Sequence, residues 1–311
     1  MVIQWVAWAK GTHFEVEMPQ LEDELGDIIS KARSGLGLSV REIASASGLS
    51  EGEIVETESC RLVPARARLD ALARTLSLDP QKLAAIAEGW SPLPTSQTPA
   101  GLAFETVPVT LGGYVENCYI VECVETRSAA VVDPGGAVDR IIDRLASGGY
   151  CLELVLITHA HGDHVGGLRQ LIASKPDAPV ISHSVERRSL GGFAAWQPAE
   201  DGARTRLGNL EVTMLHTPGH TRGSMCYLVE PHGEGDQRGS NRGAVQRSGV
   251  CFVGDTLFAG SIGRCASPEA YEPMLFAIRA KLLSLPDSTV LLPGHGPATT
   301  VMEEKRHNPF F

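Results

Sequence analysis

In the first ninety residues apolar positions recur at helical spacing in short blocks. These are Leu25, Ile28, Ile29 and Ala32; Val40, Ile43 and Ala44; Ile54 and Val55; Leu69, Leu72, Ala73 and Leu76; and Leu83, Ile86 and Ala87. Spacings of three and four put each block except the adjacent pair Ile54 and Val55 on one helical face, and the five blocks together predict a bundle of about five short helices. Beyond residue 101 the period changes. Short β-rich runs at 118–124, 129–132, 154–157, 226–229, 250–253 and 290–292 predict strands, and helical patterns at 138–146, 165–173 and 271–285 alternate with them. That alternation defines an α/β arrangement. Between the two patterns lies SPLPTSQTPA, residues 91–100, rich in proline and hydroxyls and without an apolar period. It has the composition of an exposed linker. The expected organisation is a helical domain over 1–90, a linker over 91–101 and an α/β domain over 102–311. The polar, glycine-rich segment 231–249 between two strand-like runs is expected to form an extended hairpin loop.

Charge and cysteine usage narrow the class. Of 311 residues, 27 are Lys or Arg and 37 are Asp or Glu, a formal net charge of -10. This balance argues against bulk electrostatic binding to nucleic acid or to an anionic membrane. The seven cysteines form no CxxC pair, which points to reduced thiols and a cytoplasmic location. The apolar start around residues 5–9 is short, lacks a basic flank and does not read as a signal peptide, and no later run approaches the ~20 apolar residues of a membrane span.

The chemistry is concentrated in turns after strands. The run Thr158-His159-Ala160-His161-Gly162-Asp163-His164 follows the apolar strand 154–157. Three imidazoles and a carboxylate therefore fall at a strand's C-terminal end, where α/β folds hold their sites. His220 in Thr217-Pro218-Gly219-His220, Asp255 in Gly254-Asp255-Thr256, and His295 in Pro293-Gly294-His295 repeat the layout, each beside glycine. Imidazole nitrogen and carboxylate oxygen suit borderline divalent metals, and seven such donors exceed what one tetrahedral ion needs, so two metals are expected.

On these motifs, with TPGHTRGS, FVGDTLFAGSIGR and the ending LLPGHGPATTVMEEKRHNPFF, residues 102–311 resemble the metallo-β-lactamase fold superfamily, and within it the glyoxalase II-like (hydroxyacylglutathione hydrolase-like) branch. The resemblance implies a four-layer αββα sandwich with metals at one edge of its two sheets. One metal would be held by His159, His161 and His220, a second by Asp163, His164 and His295, with Asp255 bridging both. Zinc is expected, with iron or manganese as alternatives. The implied activity is hydrolysis of a small-molecule thioester by a hydroxide shared between the metals, with Asp163 orienting that hydroxide or taking its proton. A thioester fits because its thiolate leaves with little help from an acid. Arg264 stands where the branch often carries a cation that contacts glutathione. No counterpart of the branch's C-terminal helical domain is expected after Phe311, which leaves the thiol half of the substrate open. Cys265, next to Arg264, is expected to be an ordinary thiol. His13, His183, His216, His232 and His307 fit no ligand position.

Two other functions share these motifs. A persulfide dioxygenase would use a single iron on His159, His220 and Asp255. A DNA-binding regulator would use the same domain to sense a ligand. Residues 25–60 resemble the Cro/repressor-type helix-turn-helix, with LSVREIA, SGLS and IVETE in sequence. The expected recognition helix, however, carries Glu51, Glu53, Glu56 and Glu58, and no Lys or Arg appears before Arg61. Such a helix repels phosphate, so assembly, as a homo-oligomer or by protein docking, is favoured over DNA contact through Arg61, Arg66 and Arg68.

Overall fold

The structure, a computed structural model, describes residues 3–6, 14–17, 20–93, 98–111, 113–192, 194–232 and 249–311. The expected loop at 233–248, the middle of the expected linker at 94–97 and His13 lie outside the described residues. A short hairpin, β1 (Ile3–Val6) with β2 (Phe14–Glu17), comes first. Five helices follow: α1 (Leu25–Gly35), α2 (Val40–Ser47), α3 (Glu51–Glu58), α4 (Arg66–Thr75) and α5 (Pro80–Ala87).

The apolar faces behave as the period predicts at Ile28, Ile29, Ile43, Ile54, Leu72 and Leu83, all fully buried, but Val55 is 47% exposed. The acidic residues have a local use. Ser39 Oγ accepts from the Glu42 amide at 3.2 Å while the Glu42 carboxylate accepts from the Ser39 amide at 2.7 Å, and Ser50 with Glu53 repeats the exchange at the start of α3. These are capping boxes, with carboxylates at helix starts where the dipole favours them. Gly48 ends α2 at φ 71, a left-handed turn that glycine adopts without strain.

The α/β part holds two six-stranded sheets. The first runs β3 (Leu102–Leu111), β4 (Tyr114–Cys123), β5 (Ser128–Val132), β6 (Cys151–Leu156), β7 (Val180–Ser182) and β8 (Trp196–Pro198), in chain order across the sheet. Crossovers on its outer face are α6 (Val138–Gly148), α7 (Gly162–Val165), α8 (Leu168–Ser174) and α9 (Arg187–Leu190). The helix expected over 165–173 is broken in two, because the chain turns at Gly166 and Gly167 so that the Gly167 amide donates to the Pro134 carbonyl at 2.9 Å.

The second sheet contains β9 (Arg204–Leu207), β10 (Leu210–His216), β11 (Met225–Pro231) and β12 (Val250–Gly254). After a small hairpin, β13 (Leu257–Phe258) and β14 (Ser261–Ile262), come α10 (Tyr271–Ala277) and then β15 (Val290–Pro293), β16 (Thr299–Thr300) and α11 (Val301–His307). The order across this sheet is β16-β15-β12-β11-β10-β9.

Three apolar cores fix the layers. One, with Tyr119, Val121, Val212, Tyr227 and Phe252, lies between the sheets. A second joins the first sheet to α6 and α8 through Val131, Ile141, Leu145 and Leu171. The third joins the second sheet to α10 and also to the N-terminal helices, with Ile28, Leu72 and Leu83 in one cluster with Val253, Leu257 and Met274. The helices α1–α5 therefore share a core with the α/β part.

Candidate metal centre

All seven predicted donors converge at one edge of the two sheets. The first sheet contributes the turn after β6, which carries His159, His161, Asp163 and His164. The second contributes His220 from the β10–β11 connection, Asp255 after β12 and His295 after β15. Asn117 and Tyr119 of β4 reach across to hold the last of these loops. The Asn117 amide donates to the Gly294 carbonyl at 2.7 Å, and the Tyr119 hydroxyl donates to the Pro293 carbonyl at 2.7 Å. Gly294 is required by space, since a β-carbon there would lie 2.5 Å from Asp255 Oδ1 and from His164 Cε1.

Two groups of donors share one carboxylate. In the first, His159 Nε2 and His161 Nδ1 are 3.0 Å apart, His161 Nδ1 and His220 Nε2 3.0 Å, and His159 Nε2 and His220 Nε2 3.2 Å, with Asp255 Oδ2 3.4 Å from His220. Ligands at ~2.0–2.1 Å from a tetrahedral ion stand about 3.3 Å from each other, so this spacing fits a cation. In the second, Asp163 Oδ2 lies 3.3 Å from His295 Nε2 and 4.0 Å from His164 Nε2, which is 3.4 Å from Asp255 Oδ1. His164 Nε2 and Asp255 Oδ1 are buried without a hydrogen-bond partner. Orphaned atoms of this kind in a polar cluster are what an ion would satisfy.

The outer ring nitrogens set which lone pairs face inward. His220 Nδ1 donates to the Arg264 carbonyl at 2.9 Å, His295 Nδ1 to the Val115 carbonyl at 2.8 Å, and His164 Nδ1 to Asp133 Oδ2 at 2.9 Å. With Nδ1 held by its acceptor in each, loss of the Nε2 proton leaves a lone pair aimed into the cluster for a cation. Burial would raise the Asp255 carboxyl, but the facing imidazoles of His164, His159 and His220 outweigh it and hold the acid well below the usual carboxylate range. Burial pushes His159 far down and lowers His220. It also disfavours charge on His164, but the Asp255 and Asp133 carboxylates reverse the sign and raise that ring well above its ordinary value. The hydrogen bond from His295 lowers Asp163.

Of the residues singled out for substrate or reactivity, Arg264 is exposed and joins the site through its carbonyl. Cys265 packs on Met274 with its sulfur 3.3 Å from Sδ, and burial raises its thiol to about 11, so it is an ordinary protonated thiol at neutral pH. His183 stacks on His216 and His307 on Trp90, and none of them belongs to a donor group.

Sequence reasoning missed two carboxyl groups. Asp133, 2% exposed, accepts from the Thr158 amide at 2.7 Å and hydroxyl at 2.6 Å as well as from His164. Its signal was its place directly after the strand 129–132, ahead of Pro134-Gly135-Gly136, the same layout as the ligand turns. Glu116, 1% exposed and 4.0 Å from His164, carries two oxygens without partners, and burial raises it to about 10. It is held as the neutral acid, and nothing in its local sequence marks it.

The fold and this edge define a class. The family model of the metallo-beta-lactamase superfamily matches residues 111–295, and the chain belongs to that superfamily. A relative from Haemophilus influenzae, hydroxyacylglutathione hydrolase GloC, is 33% identical over 223 residues, covering 66% of this chain and 96% of its own. Among solved structures, the BLEG-1 B3 metallo-beta-lactamase is similar at TM-score 0.54 and 29% identity, over 67% of this chain and 98% of its own. ETHE1 from Myxococcus xanthus is similar at TM-score 0.51 and 28% identity, over 66% and 83%. Among the described residues no helix is long and apolar enough to cross a membrane.

Proposed function

We propose that this chain is a dinuclear metallohydrolase of small-molecule thioesters. The observation that carries the reading is the meeting of two complete donor groups on one shared carboxylate, Asp255. His159, His161 and His220 would hold one cation and Asp163, His164 and His295 the other, with zinc the expected metal and iron or manganese alternatives. When bound, a pair of divalent cations supplies Lewis acidity toward a carbonyl oxygen and acidifies water into a nucleophile near neutral pH. Asp163, its carboxyl lowered by His295, would take a proton from water at the site. A thioester demands no strong acid for its leaving thiolate. The name of the Haemophilus influenzae relative supports the same substrate class. Arg264, exposed beside the His220 turn, is assigned to an anionic part of the substrate.

Helices α2 and α3 with their Gly48 turn are read as a Cro-type helix-turn-helix that serves assembly. Three arginines that follow it are already engaged: Arg61 with Glu56 at 2.7 Å, Arg66 with Asp70 at 2.8 Å and Arg68 with the Ser47 carbonyl at 3.4 Å. The test of the whole reading is His164→Ala. If His164 serves a second cation, thioester turnover falls at least 10- to 100-fold while the first cation and the thermal transition are kept. A folded variant with full turnover on one ion per chain refutes the dinuclear mechanism. Undiminished oxygen consumption with glutathione persulfide in that variant supports the mononuclear iron alternative.

A further inference from the structure

Glu186 lies outside both donor groups, yet its side chain ties together the two turns that between them carry all three imidazoles of the first group. It closes the turn after β7, its amide donating to the His183 carbonyl at 3.0 Å, and only 7% of it is exposed. One carboxylate oxygen, Oε2, accepts from the Ala160 amide at 3.2 Å, the peptide between His159 and His161. The other, Oε1, accepts from the Thr221 hydroxyl at 2.8 Å, one residue beyond His220. Thr221 is itself fixed, its oxygen accepting from the Gly223 amide at 3.2 Å and its amide donating to Ser224 Oγ at 2.9 Å. The contact bridges the two sheets, since the 158–164 turn leaves β6 of the first sheet and the 217–224 turn leaves β10 of the second.

We propose that Glu186 is a positioning residue for the His159, His161 and His220 group alone, setting the separation of the two turns and hence of the three nitrogens. The inference rests on the two-cation reading of this site. Among the described residues the His161 ring makes close polar contacts only with the other two imidazoles, so its position depends on where the Ala160 backbone is held. The other group has separate supports in Asp133, the Val115 carbonyl and Asn117. Loss of Glu186 therefore acts on one group and spares the other.

The test is titration of the metal-free full chain with Co2+, followed by visible absorbance, and with Zn2+ against a competing chelator. His161→Ala identifies which binding step belongs to the three-histidine group. Glu186→Ala is expected to weaken that step about 10- to 100-fold and leave the other within about threefold, in line with losses of groups that support ligands. Glu186→Gln is expected to restore it, because the amide oxygen can accept from Ala160 while its NH2 donates to the Thr221 hydroxyl, which can accept as well as donate. Thr221→Val cuts the other arm and should weaken the same step, which keeps the test decisive if Glu186→Ala does not fold. The inference is overturned if folded Glu186→Ala leaves both steps unchanged, if both steps weaken together, or if Glu186→Gln matches Glu186→Ala. Should the parent chain bind only one ion, the two-cation reading fails, and the clamp is then judged by whether that single step weakens.

Discussion

Replacing Asp133 by Asn removes one charge and exchanges one acceptor for a donor, at a site where the tautomer of a candidate ligand depends on it. Asp133 sits at φ 48, and Asn tolerates that left-handed backbone almost as well. Its Oδ1 can keep the Thr158 amide, now held at 2.7 Å, but the NH2 then faces His164 Nδ1 in place of Oδ2 at 2.9 Å. The ring must accept there and carry its proton on Nε2. That proton finds Asp255 Oδ1, 3.4 Å away, so the metal-free variant loses only about 1–2 kcal/mol. Binding an ion through Nε2 forces the ring back to the other tautomer, with a buried donor against a donor, a penalty of ~1–3 kcal/mol. At 1.4 kcal/mol per decade this is about 5- to 140-fold in affinity. Zn2+ titration of the metal-free variant, beside its thermal transition, measures both numbers. An Asp133→Asn variant that folds and binds its ions with parent affinity refutes the tautomer argument.

Three further outcomes are expected. Lys31, buried with Asp23, donates to the Ile262 carbonyl at 2.8 Å and lies over Phe258, fastening α1 to the β13–β14 hairpin beside the site; Lys31→Ala leaves Asp23 buried and unpaired and should lower stability by ~3–5 kcal/mol in urea unfolding. Glu304 is fully buried, and burial raises it to about 7 from 4.5 despite hydrogen bonds from Asn308, Thr299 and Gly260. A raised folded-state value favours the folded chain below pH 4.5, and that contribution is lost as pH rises through 7, so stability should fall by about 3 kcal/mol across this window and Glu304→Gln should flatten the fall. The full-length chain should bind duplex DNA weakly and with strong salt sensitivity in a mobility-shift assay, since Arg61 and Arg66 are paired with acids; nanomolar, sequence-selective binding at physiological salt contradicts the assembly role.

The seven candidate donors that the structure brings together could be picked out from sequence because each stands in a turn directly beside an apolar strand, and the strand-and-turn layout survives without tertiary information. The groups that orient them were not legible as such, although Asp133 shares the strand-and-turn layout. Asp133 and Glu186 act through backbone amides and hydroxyls of residues 25 or more positions away, a relation that no local spacing encodes. Glu116 lies inside β4, where one acid in a strand reads as a solvent-facing position. The acidic character of α3 was visible, but the pairing of Glu56 with Arg61 and of Glu58 with Arg33 emerges only from the hydrogen bonds. Equally, the apolar period of α1–α5 predicts buried faces without saying that those faces meet β12, β13 and α10 in one core.

The most direct test of the dinuclear mechanism is thioester turnover measured against metal equivalents. Metal-free chain is loaded stepwise with Zn2+ and assayed with S-lactoylglutathione, and bound metal is counted in the same samples. Two donor groups sharing Asp255 predict low turnover up to one ion per chain and a steep rise that saturates at two. Saturation at a single ion, or no thioester hydrolysis at two while one bound iron supports oxygen consumption with glutathione persulfide, contradicts the dinuclear hydrolase.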